Sequence, residues 1–211
     1  MTDIIKDLEW RYAVKKFDSS KEIEVAKLER IKKAFILTAT SYGLQPIKMV
    51  VLKNKDLQEQ LVEFSYGQMQ VAQASHILIL CIEKKIDTDY ISSYFKKVKE
   101  IRGTSDSVLE PFKKELVSEF TKMDTKQIQQ WAINQVYLAM GNLLTICAAE
   151  QIDACPMEGF LPESYDELLN LSSKGLCSVL ALPIGYRAED DMFSGFKKVR
   201  RDMENSIIYI S

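Results

Sequence analysis

From Trp131 to Glu150 the chain reads WAINQVYLAMGNLLTICAAE, and its apolar residues surround the helix axis instead of forming one stripe. A helix of that kind has little polar surface to offer water and must be buried on all sides. In a chain of 211 residues the burial is easiest if part of the helix faces a second copy. The pattern therefore predicts a central core helix and a symmetric homodimer.

The other elements follow from shorter periodicities. Thr2 and Asp3 can cap a first helix whose apolar positions Ile4, Ile5, Leu8 and Tyr12 fall near one face. Ser19 followed by Glu22 reads as a capping box, and Leu28, Ile31 and Phe35 keep a helical period to about Leu37. A polar turn from Thr38 to Pro46 leads into Ile47–Leu52 (IKMVVL). Asp56–Phe64 reads as a helix, and His76–Glu83 (HILILCIE) as a second buried strand. Tyr90 to Met123 is charged and helical in pattern, with Gly103 as a break and Pro111 in a first turn or at a kink; it is expected to be mobile or to project from the body. Leu161–Leu171 reads as a helix, Ser178–Tyr186 as a third strand and Ser206–Ser211 (SIIYIS) as a fourth. Its exposed isoleucines need a sheet edge, such as the partner's. With no internal repeat or linker, residues 1–211 are expected to form one domain.

Composition removes whole classes of function. Lys plus Arg number 28 against 30 Asp plus Glu, for a net charge of -2, so nothing attracts nucleic acid or an anionic membrane in general. Four scattered cysteines include no CxxC pair, and the acidic start lacks the pattern of a signal peptide. No apolar run approaches the roughly 18 residues of a membrane span. A cytoplasmic protein in a reducing compartment is expected. The sole histidine, His76, opens a buried strand, carboxylates are dispersed, and neither GxGxxG nor GxxxxGK[ST] occurs. Metal sites, His-assisted nucleophiles and the common nucleotide cradles are therefore not expected.

Four short segments remain. Arg11, Lys15 and Lys16 follow the first helix; Arg11 and Lys15 would share a face if that helix continued. Lys197-Lys198-Val199-Arg200-Arg201 places four cations in five residues, a set able to grip phosphate. Thr40-Ser41-Tyr42-Gly43-Leu44-Gln45-Pro46 is dense in hydroxyl and amide groups, and Cys155-Pro156-Met157-Glu158-Gly159-Phe160 is a turn entering a helix. Taken singly, the first two are ordinary solvated charge and the others ordinary connections.

Taken in order, the segments resemble the nitroreductase family, notably its oxygen-insensitive NAD(P)H nitroreductase and dihydropteridine reductase-like branch, from about Trp10 to Arg201. The family's Arg-x-Ser-x-Arg/Lys-x-Phe motif is matched by Arg11, Ala13, Lys15 and Phe17, and its Ser-Ser-x-Asn-x-Gln-Pro turn by residues 40–46. Ala74-Ser75-His76, Gln135-Val136-Tyr137-Leu138 with Gly141-Asn142, Pro156-Met157-Glu158-Gly159-Phe160 and Lys198-Val199-Arg200 complete the series. There are two departures: Ala13 stands where the motif has serine, and Gly43 where the turn has asparagine.

The resemblance implies an α+β fold, with a central mixed, mostly antiparallel sheet wrapped by helices, in an intertwined homodimer with C-terminal strand exchange. It implies bound FMN, NAD(P)H as transient co-substrate and a small-molecule electron acceptor of nitroaromatic, quinone or pteridine type, reduced in a ping-pong cycle through flavin N5. Arg11, Lys198 and Arg200 would hold the phosphate, and Tyr12, Ala13 and Gly67 are also among the residues expected to bind the cofactor. Lys15 and Gln70 would approach the pyrimidine side, where a cation favours hydride acceptance. The Glu158 backbone N–H would face N5, flanked by Pro156, Met157 and Gly159, with no side chain as general acid or base. Thr40, Ser41 and Gly43 would come from the partner subunit, Gln135 would contact the ring from below, and Tyr42 and Phe120 are candidates for substrate contact, with core packing the better role for Phe120. Two readings of the same segments stay open: an FMN-binding module without nicotinamide turnover, and a dehalogenating or flavin-fragmenting member of the fold.

Overall fold

The computed structural model describes residues 3–210. Its centre is an antiparallel sheet in the order β1-β2-β4-β3, made of β1 (Ile47–Leu52), β2 (His76–Glu83), β3 (Asp153–Ala154) and β4 (Leu176–Gly185). On β2 successive side chains point to opposite faces. Leu78, Leu80 and Ile82 join one core cluster, and Ile77, Ile79 and Cys81 the other. With both faces covered, the strand reads as one continuous apolar run instead of the alternation of a half-wet sheet.

The first face carries α7 (Thr125–Ala149), whose Val136, Ala139 and Leu143 are buried with Ile31 and Phe35 of α2 (Val25–Ile36). The second carries Leu61 of α3 (Lys55–Glu63) and Tyr165 of α8 (Pro162–Leu168), near the short α4 (Gln70–Gln73). α5 (Thr88–Arg102) and α6 (Asp106–Lys122) form a helical hairpin. Contrary to the expectation of a projecting segment, Ile91, Phe95, Leu116 and Phe120 anchor it in the α7-side core. Gly103 breaks it in the left-handed region, and Pro111 lies inside α6 beyond its first turn.

Several other expectations are corrected. Ser19 and Glu22 form no capping box: α2 begins after Glu24 without a side-chain cap, and Glu22 pairs with Lys53 instead. α1 (Ile4–Trp10) is capped by Asp3, whose carboxylate accepts from the Ile5 N–H; Thr2 lies outside the described residues. The apolar side chains of α1 face outward, since its buried residue is Asp7 while Ile4, Ile5 and Leu8 are exposed. α7 is long and apolar enough to cross a membrane, contrary to the sequence estimate, yet it packs against the sheet. Among the described residues the C-terminal stretch pairs with no strand of its own chain, and the fourth place in this sheet belongs to β3. Of that stretch, Ser211 lies outside the described residues.

Candidate functional site

α1 stops at Trp10 because Arg11 turns extended, with φ -69° and ψ 142°. Arg11 and Lys15 therefore do not share a helix face. The chain instead runs along the end of the sheet: the Val14 N–H donates to the Ala154 carbonyl at 3.3 Å, and the Asp18 N–H to that of Tyr186 at 2.8 Å. Gly185 permits this approach, since a Cβ there would lie 3.0 Å from the Phe17 ring and 3.1 Å from the Ser75 nitrogen.

Against this segment lies the chain beyond β4. Asp191, 3% exposed, accepts from the Tyr12 hydroxyl at 2.9 Å and from the backbone N–H groups of Lys15 at 3.0 Å and Lys16 at 3.3 Å. Burial opposes its charge, but these bonds and one from the Phe193 N–H outweigh it and hold the carboxyl below its ordinary range. Beside it, Arg187 stacks between the rings of Trp10 and Tyr12, at 4.3 and 4.5 Å, and grips Asp153 through a pair at 2.6 Å.

This scaffold brings Arg11, Lys197, Lys198 and Arg200 around a cleft of about 300 Å³ that Tyr12, Ala13, Phe193 and Phe196 complete. No carboxylate lines it. The Lys198 ammonium donates to the Arg11 carbonyl, and the Arg11 Nε is buried without a hydrogen-bond partner among the described residues. Burial, then the charge of Arg200, pushes the Arg11 pKa down; burial, then Arg11 and Arg200, does the same to Lys198. Cations held together against their own repulsion, with a donor to spare, make a site for a multiply charged anion.

The Pro156–Gly159 loop adjoins the same end of the sheet. Met157 exchanges backbone bonds with Ala181 at 2.8 and 3.1 Å, which leaves Glu158 and Gly159 exposed beyond the pinned residue. The Glu158 N–H makes no hydrogen bond among the described residues. The Gln70 amide, buried at the start of α4, reaches Cys155 Sγ at 3.9 Å and Gln68 at 3.2 Å, and Gln68 donates to the Gly159 carbonyl at 2.8 Å. Gly67, at φ 74°, makes the turn before α4. Burial pushes the Cys155 thiol pKa up, against the pull of the Lys15 ammonium and the Gln70 amide. The Lys15 charge thus acts on the start of this loop.

The Thr40–Gly43 turn is elsewhere. Its Ser41 N–H donates to Gln135 Oε1 at 2.8 Å, while Gln135 Nε2 donates to the Trp131 carbonyl at 2.9 Å, so Gln135 is committed within its own chain. On the same side of α7, Asn142 bonds Ala34 and Thr38. Tyr137, two residues from Gln135 and so about 200° around the helix, bonds Glu158 at 2.8 Å. Within one chain, α7 separates the turn from the loop. Tyr42 is partly exposed and bonds Glu119, whereas Phe120, 4% exposed, meets Trp131 edge-on at 5.0 Å as a core residue. His76 is also structural: buried, its Nδ1 shares a hydrogen bond with the Ser75 hydroxyl at 2.9 Å.

The sequence reading missed Asp191 and Gln68, and gave Tyr137 no role beyond its place in a motif. Asp191 carries no local signal, because its partners stand as much as 179 positions away.

The chain also has recognisable relatives. The Nitroreductase family model matches residues 8–186. The "Putative NAD(P)H nitroreductase YfkO" of Bacillus subtilis is 31% identical over 201 residues, 90% of each chain. The oxygen-insensitive NAD(P)H nitroreductase of Salmonella typhimurium is 26% identical over 219 residues, 97% of this chain and 98% of that one. Among solved structures, a "putative nitroreductase in complex with FMN" from Exiguobacterium sibiricum superposes with a TM-score of 0.82 at 17% identity, over 100% of this chain and 98% of that one. By the extent of the family match and of the first relative, the chain belongs to the nitroreductase family.

Proposed function

We propose that the chain is one FMN-binding domain of a homodimeric NAD(P)H oxidoreductase. It takes hydride from NAD(P)H and passes it in a ping-pong cycle to a nitroaromatic, quinone or pteridine-type acceptor. The observation that carries this reading is the carboxylate-free cleft of Arg11, Lys198 and Arg200 with its spare buried Arg11 donor. A phosphate monoester fits that donor set. The relatives' names and the FMN in the Exiguobacterium sibiricum structure point the same way.

Bound FMN would supply the hydride chemistry; the chain supplies place and field. Arg11, Lys198 and Arg200 hold the phosphate end, with the Tyr12 and Ala13 backbone beside them. Ala13 brings no hydroxyl, which leaves the load on the cations. Lys15 brings positive charge to the pyrimidine edge, together with Gln70 and the Gly67 turn. Pro156, Met157 and Gly159 would flank the ring, and the Glu158 N–H, which bonds nothing among the described residues, would face its reacting nitrogen. No proton need pass through a side chain. Because α7 keeps Thr40, Ser41 and Gly43 away from their own loop, these residues complete the partner's site. Tyr42, the exposed member of the aromatic group, is carried forward as a substrate contact; Phe120 is not.

Purified protein should be yellow, bleach on NAD(P)H and recover its colour with an acceptor. In Lys198→Ala/Arg200→Ala, FMN should no longer co-purify, since each charge-assisted bond is worth about 1.5–3 kcal/mol, or roughly tenfold or more in affinity. The apoprotein should melt no lower, because the change relieves repulsion. A yellow double variant would overturn the phosphate assignment, and flavin that stays oxidised with NAD(P)H would make the chain a binding module.

A further inference from the structure

Gly43 stands where the resembled turn has asparagine, and its surroundings show what has changed. The backbone there is left-handed, at φ 70°, a conformation open to both glycine and asparagine. The backbone at 43 is thus one that either residue could adopt, and glycine leaves it without a side chain. The space for that side chain is filled from α5: a Cβ built on Gly43 would lie 2.5 Å from the Tyr94 hydroxyl oxygen and 3.2 Å from Cζ of the same ring. A side chain at 43 would have to push the hydroxyl end of Tyr94 from the place it now fills.

Tyr94 is held in this place. One helical turn earlier, the Tyr90 hydroxyl donates to the Leu44 and Gln45 carbonyls at 3.0 and 2.9 Å, which ties α5 to the same turn. The Tyr94 ring meets Phe95 edge-on at 5.4 Å. Its hydroxyl has no hydrogen-bond partner among the described residues, and it opens on a cleft of about 390 Å³ lined by Thr38, Thr40 and Gln45 as well. A hydroxyl on a half-buried tyrosine that fills the space beside Gly43 and bonds nothing among the described residues is available to a ligand.

We propose that Tyr94 is a cofactor-binding residue, whose hydroxyl offers from α5 a polar contact in the space beside Gly43 where the resembled turn has an asparagine side chain. The assignment rests on the reading that this turn meets FMN across the subunit boundary.

The test is titration of apoprotein with FMN, followed by quenching of flavin fluorescence, alongside the apoprotein melting temperature. Tyr94→Phe removes only the hydroxyl; it should weaken FMN binding about three- to tenfold, the worth of one neutral hydrogen bond, with unchanged melting. Gly43→Asn must push the Tyr94 hydroxyl aside and should bind FMN less tightly than wild type. Gly43→Asn/Tyr94→Ala removes that obstruction and restores a polar group, so it should bind FMN more tightly than Tyr94→Ala alone. Wild-type affinity in Tyr94→Phe, or no gain in the double variant over Tyr94→Ala, overturns the assignment of Tyr94 while the flavin reading stands. Failure of the wild-type protein to bind FMN would instead remove the flavin reading and this assignment with it.

Discussion

One buried carboxylate joins residues from the two ends of the polypeptide. Asp191 accepts from Tyr12, Lys15 and Lys16 and lies seven residues before Lys198, so it fixes where both halves of the cationic cleft meet. Asp191→Ala leaves those donors without their acceptor; the cost should be about 2–3 kcal/mol of stability, together with weaker FMN binding. Asp191→Asn keeps an acceptor of the same shape and should lose less. The pH dependence has a definite sign. The folded carboxyl lies below its ordinary range, so its contribution is complete above the unfolded value, near pH 4, and is lost as pH falls through the lower folded value. The melting-temperature gap between wild type and Asp191→Asn should therefore be constant from pH 7 to about 5 and close below about 4. A gap that widened in acid would show that the charge is not what the pin uses. At this scale the sequence reveals the cations, since like charges cluster along the chain, but not the anion that positions them.

The elements divide by what forms them. β1 and β2 are legible to the residue as strands, because apolar β-branched runs favour the pleat, although β1, at the edge of the sheet, is buried only at its ends and not throughout as β2 is. β3 was invisible: two residues form a strand only because β4 offers an edge, and no window of sequence encodes that. The same logic explains the capping box at Ser19 and Glu22, where local chemistry was present but α2 starts lower down. α7 also begins earlier than its apolar run, since Asp124 and Gln127 form a capping box before the hydrophobic pattern starts. That cap is exposed and far from the cationic cleft in sequence. Asp124→Ala should thus cost about 1 kcal/mol and about 2–4 °C in melting temperature for a chain of this size, with FMN affinity untouched. Loss of FMN affinity in this variant would mean that the start of α7 is coupled to the site, through Trp131 and Gln135.

For the molecule as a whole, the informative feature is a helix turned inside out. α1 buries Asp7 and exposes Ile4, Ile5 and Leu8, while α7, against which it packs, exposes Tyr137 and Leu138. Covering one such side chain is worth about 1.5–3 kcal/mol, so leaving them all in water is costly for an isolated subunit. The C-terminal residues Ile207, Ile208 and Ile210 are exposed as well. The all-round apolar α7 suggested a second subunit from sequence alone, and the single chain still leaves part of that surface uncovered. A dimer through α1 and α7 would also bring one subunit's Thr40–Gly43 turn toward its partner's loop, across the helix that divides them within a chain. Ile5→Glu/Leu138→Glu tests both consequences at once. Both side chains are exposed in the single chain, so circular dichroism should be unchanged. Sedimentation should fall from the mass of two chains to that of one, and FMN should be lost although every cation of the cleft is intact. A monomeric variant that still holds FMN would show that one chain completes the site alone. A wild-type protein that sediments as a monomer would remove the need for a partner altogether.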